Sequence, residues 1–149
     1  MHITDFTDAH VERAAQIAKQ NYEQERGLVP ALPLVENIPD LTPFAENKLG
    51  AAAFNGADML GFLCVYPPFQ NAFGSTGATG VFSPMGANGV IGDNRAEVYA
   101  HLYQAAGYKY IGVDFESINP PAYGFWLKYF TAYTHSVVRR IDEGAIANR

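Results

Sequence analysis

Cysteine is almost absent from this 149-residue chain: Cys64 is the only one. No intrachain disulfide can form, so the expected setting is reducing and cytoplasmic. Cys64 lies in the apolar run "MLGFLCVY", where a buried thiol is expected rather than a nucleophile. Basic charge is also scarce, with 10 Lys plus Arg against 15 Asp plus Glu and a net charge of -5. A basic stripe for a phosphate backbone is missing, and nucleic acid is not an expected partner. No uninterrupted apolar run approaches the ~20 residues that cross a bilayer. The amino terminus "MHITDFTDAH" has no basic stretch leading into an apolar one. The expectation is a soluble protein with no membrane role. With 48% hydrophobic and 17% charged residues, and no low-complexity segment, residues 1–149 read as a single folded domain.

The familiar nucleotide loops are missing too. In "GVFSPMGANGVIGDNRAEVY", residues 80–99, Gly92 is followed by Asp93 and Asn94 rather than by Lys and Ser or Thr. A G-x-G-x-x-G fingerprint is absent, and the hairpin pattern ahead of the stretch is the wrong context for one. What is present is an apolar run, glycines and then a helix pattern. The first N–H groups of a helix have no internal acceptors and sit at the positive end of its dipole, so this arrangement suits a phosphate. It equally suits a turn that needs permissive residues.

Along the chain, Thr7 or Asp8 starts a helix whose apolar positions Val11, Ala14, Ala15, Ile17 and Ala18 run to about Glu25, with Gly27 as the stop. Pro30, Pro33, Pro39 and Pro43 then impose a loop with a short helix near "TPFAENK". "LGAAAFNGADMLGFLCVYPPF" reads as a β-hairpin turning at "NGAD", and "GATGVFSPM" as a third strand. "DNRAEVYAHLYQAA" is a helix with Val98, Leu102, Tyr103 and Ala106 on one face, ended by Gly107. A strand at "YKYIGVDFES", a short helix at "PPAYGFWLKYF" and a last strand at "AYTHSVVRRID" follow. The order implies an α/β (α+β) domain with a mixed sheet flanked by helices.

In its order and spacing the segment "SPMGANGVIGDNRAEVYAHLYQAAGYKYIGVDFESINPPAYGFW" resembles the GNAT superfamily of acyl-CoA-dependent N-acyltransferases. Pro84 to Gly92 spans the family's pyrophosphate loop, Gly92 to Gly107 its helix, and Asn119, Ala122 and Phe125 match its second motif. The earlier helix, loop and hairpin follow the family's order as well. The loop is degenerate: Ala87 stands where the family has Gln or Arg, and Val90 where it has the central glycine.

The resemblance implies a central mixed sheet flanked by helices and acetyl-CoA as co-substrate, with no metal. It implies transfer of an acetyl group to a primary amine on a small molecule or peptide. Phe82 and Ser83 would pair with the pantetheine arm, Gly89, Val90, Gly92, Asp93, Asn94 and Arg95 would hold the pyrophosphate, and Asn119 would complete the cofactor site. The family's usual tyrosine acid falls at Trp126, so Tyr123 or Tyr129, about one helical turn to either side, is the expected catalytic acid, Tyr129 the better of the two, and Glu116, with Asp114 and His135, substitutes by residue type for the family's glutamate base. A second reading keeps the fold and the acyl-CoA but not the turnover, giving a binding or sensing module. A third assigns the aromatics, nine Tyr and ten Phe, to a contact surface around "YPPFQNAFG" and the tail, with any self-association expected as a homodimer.

Overall fold

The computed structural model describes residues 1–34, 38–72, 76–77, 79–107 and 128. By its contacts the chain divides into two units, Met1–Lys109 and Tyr110–Arg149, and the elements described here belong to the first. The strands and the helix expected beyond residue 107, with Glu116, Asn119 and Tyr129, lie outside the described residues.

Strand β1 is His2–Asp5, and Thr7 then caps helix α1, Asp8–Leu28. The Thr7 N–H donates to Nδ1 of His10 at 3.1 Å, satisfying one of the donors that a helix start leaves over. Ala14, Ile17, Ala18 and Asn21 are the buried stripe of α1, at the spacing that puts them on one face. The helix runs past the stop expected at Gly27. Val29 still donates to the Glu25 carbonyl at 2.8 Å, and its own backbone turns extended (φ -129, ψ 82) ahead of Pro30. Proline, by crowding the residue before it, ends this helix where glycine does not.

Helix α2, Thr42–Glu46, falls where the proline loop was expected to hold a short helix. The hairpin is also as expected: β2, Gly50–Asn55, turns at Gly56 into β3, Asp58–Cys64. Beyond it the sequence reading needs correction. The third strand expected over 77–85 contributes only β5, Thr79–Gly80, which pairs with β4, Phe69–Gln70, in a separate ribbon. The strand that joins the hairpin is β6, Asn88–Val90, inside the stretch read as a glycine loop. Helix α3, Arg95–Ala105, follows.

The main sheet has the order β1-β2-β3-β6, and every ladder among the described residues is antiparallel. Successive residues face opposite sides, so Ala52 and Phe62 join α1 and α2 in one core, while Ala53, Leu63 and Val90 join Val98 and Leu102 of α3 in another. The result is an α+β arrangement, a mainly antiparallel sheet with helices on both faces. Glycine allows it to close: a Cβ on Gly61 would meet the Gly89 carbonyl at 2.7 Å, and one on Gly89 would meet Ile17 of α1 at 3.0 Å. No helix among the described residues is long and apolar enough to cross a membrane.

Candidate functional site: the outer edge of β6 and the start of α3

Two backbone bonds fix which way β6 presents its polar groups. Cys64 donates to the Ala87 carbonyl and Ile91 to that of Leu60, both at 2.8 Å. With Phe62 opposite Gly89 between them, residues 87, 89 and 91 face β3. Asn88 and Val90 therefore direct their N–H and C=O groups to the other edge. At Val90 that edge is taken by a side chain. Asn21 of α1 accepts from the Val90 N–H at 3.1 Å and donates to its carbonyl at 3.1 Å. The carboxamide stands in for one residue of a neighbouring strand, and it is the one buried polar side chain among the described residues. Two residues earlier, the Asn88 backbone has no such partner among the described residues.

Past Val90 the chain turns at Ile91–Asn94 into α3. The first internal bond of the helix is from Val98 to the Asn94 carbonyl at 3.1 Å, and Asn94 makes no side-chain cap. The N–H groups of Arg95, Ala96 and Glu97 thus have no acceptor within the helix. Gly92 holds φ +89, and a Cβ there would meet nothing within 4 Å, so the turn is open to solvent as well as left-handed. Asp93 and Glu97 bring two negative charges to this end and Arg95 one positive. What this end offers an anion is the backbone donors, not net local charge.

Beside the edge lies a cavity of about 250 Å³. Asn21, Tyr22 and Glu25 line it from α1, Asn88 from β6, and Arg95 and Tyr99 from α3. Ile38, Pro39 and Met85 close it with apolar surface. The polar walls are tied together at one point: Nη2 of Arg95 donates to Oδ1 of Asn21 at 3.2 Å, which serves the Val90 N–H as well. The Tyr99 hydroxyl donates to Oδ1 of Asn88 at 3.1 Å, and Nδ2 of Asn88 donates to the Ser83 hydroxyl at 2.9 Å. Burial pushes the Tyr99 phenol up to about 12, so at neutral pH it stays a proton-bearing donor. Burial likewise pushes the Cys64 thiol up to about 12, which keeps it out of nucleophilic chemistry.

The residues expected to bind the cofactor divide into groups. Phe82 and Ser83 precede the strand rather than forming it: the Phe82 carbonyl accepts from the Tyr66 N–H at 2.8 Å, and its ring stacks on Tyr66 with centroids 6.3 Å apart. Gly89 and Val90 are buried members of β6. Gly92, Asp93, Asn94 and Arg95 come together at the start of α3, all exposed. Asn21, Glu25 and Tyr99 were not among the expected site residues. Asn21 had a legible signal, a polar residue on the apolar stripe of α1, seven after Ala14 and four after Ile17. The chain matches no known family model, and no curated protein matches it.

Proposed function

We infer that this chain binds an acyl-CoA along the outer edge of β6 and transfers its acyl group to a primary amine. The observation that carries the reading is the direct run from an outward-facing strand edge, at Asn88, into a helix start whose first N–H groups lack internal acceptors. An extended amide-bearing arm pairs with the first, as an added strand does. A pyrophosphate suits the second. The order of elements, two helices, then the sheet strands β2, β3 and β6 with the β4–β5 ribbon between the last two, and a helix after the edge strand, supports the same reading through the resemblance noted in the sequence.

The residues fit the ligand in a definite way. Asn88 offers a backbone N–H and C=O, and Gly92 leaves open the approach to the N–H groups of Arg95, Ala96 and Glu97. An acyl-CoA would supply a thioester carbonyl: a C–N bond forms to the amine as the C–S bond breaks, the amine proton leaves to solvent and the thiolate takes one up. The Asn88 N–H, the one outward donor of β6 that Asn21 does not hold, donates to the carbonyl oxygen as charge develops on it, while the Asn88 C=O receives the arm, a contribution that needs no side chain. The roles of acid and base expected for Tyr129 and Glu116 fall outside the described residues.

The test is release of free CoA thiol from acetyl-CoA in the presence of primary amines, read with a thiol reagent. Cys64 adds no background in the folded protein, because its Sγ is buried and protonated. Amine-dependent thiol release is the expected result. Saturable acetyl-CoA binding without release for any amine would leave the non-catalytic binding module as the function.

A further inference from the structure

We propose that the cavity between α1 and β6 is a site for a small zwitterion of the size of an α-amino acid, with its ammonium at Glu25 and its carboxylate at Arg95. Size comes first. At about 250 Å³ the space lies just below the usual range for drug-sized ligands and suits one of amino-acid size. Charge comes second. Glu25 follows Asn21 by one helical turn, so the two share a face with Cβ atoms roughly 5–6 Å apart. Asn21 in turn holds the Arg95 guanidinium at 3.2 Å. A carboxylate and a guanidinium thus line the same space, one from α1 and one from α3, and among the described residues neither is in an ion pair. One bond to Asn21 leaves most of the five donors of the Arg95 fork for a carboxylate. Third, Ile38, Pro39 and Met85 give an apolar wall for a hydrophobic side chain.

As the acceptor of an acyl group this zwitterion deepens the transferase reading and rests on it for turnover, but its binding does not. The probes are L-phenylalanine, 2-phenylethylamine, which lacks the carboxylate, and 3-phenylpropionate, which lacks the ammonium. Each is titrated calorimetrically into the full chain, with acetyl-CoA titrated separately. L-Phenylalanine binds saturably and at least tenfold more tightly than either single-charge analogue. Glu25→Gln weakens L-phenylalanine about tenfold and leaves 3-phenylpropionate unchanged, a pattern that loss of fold would not give. Equal binding of all three probes, or binding of none, overturns the proposal. Failure of L-phenylalanine while acetyl-CoA binds overturns the zwitterion site alone. Failure of acetyl-CoA while L-phenylalanine binds overturns the acyl-CoA reading and leaves the site standing.

Discussion

Gly89 and Gly92 stand three residues apart in one stretch and are held by opposite constraints. Gly89 sits in β6 with no room: a Cβ would meet Ile17 at 3.0 Å, Asn21 at 3.3 Å and Phe62 at 3.3 Å. Gly92 has open space around it, and its constraint is the backbone, at φ +89. The first half of the stretch is therefore core, closed against α1, and the second is an exposed turn that presents a helix start. The same residue type marks close packing in one half and an open, left-handed turn in the other.

Substitutions sharpen this contrast. The largest effect is expected at the clamp between the halves. Asn21→Ala leaves the Val90 N–H and C=O without their partner and frees Arg95, and costs about 3 kcal/mol in urea unfolding. A loss below about 1 kcal/mol would mean that water replaces the carboxamide and that the edge is wet at Val90 too. Gly89→Ala comes next, at about 2 kcal/mol, because α1 must shift to admit the methyl. Gly92→Ala costs about 1 kcal/mol, from the left-handed backbone alone, and Gly92→Asn costs less than Gly92→Ala because Asn tolerates that region. If Gly89→Ala and Gly92→Ala reversed order, the division of the stretch would be wrong.

The smallest effect lies away from the stretch and serves as its control. His10 accepts the Thr7 N–H at Nδ1, which requires a neutral ring, and burial lowers its pKa below the ordinary 6.5. The folded state thus disfavours protonation. The contribution of His10 is full above pH 6.5 and is lost as pH falls through the lower folded value. The melting temperature should drop between pH 7.5 and 5, and His10→Gln should flatten that part of the profile. An unchanged slope in the variant would assign the drop to other groups.

Much of the first unit was legible in the sequence, for reasons that lie in local chemistry. The apolar spacing of α1 and α3, the "NGAD" turn and the prolines around α2 all act within a few residues, and each appears where expected. The misreadings concern contacts distant in sequence. β6 reads as a loop in the sequence because Gly89 looks like punctuation. It is there to admit Ile17 and Phe62, which lie far along the chain. β1 was missed because four residues carry little periodicity, and its pairing with β2 supplies what its sequence does not. At the site, the turn and helix start were legible from Gly92 to Arg95. The Asn21 clamp joins residues 69 apart in sequence, so only the folded chain brings them together.

The central claim is that the edge of β6 and the start of α3 together take an acyl-CoA, and calorimetric titration tests it most directly. Acetyl-CoA is titrated into the wild-type chain and into Gly92→Asp, with desulfo-CoA and ATP as controls. The account predicts saturable micromolar binding to the wild type, worth about 8 kcal/mol. It also predicts retention of desulfo-CoA and at least tenfold weakening in Gly92→Asp, where a carboxylate enters the open turn. Undiminished affinity in a folded Gly92→Asp, or no heat and no rise in melting temperature with the wild type at millimolar acetyl-CoA, would contradict it.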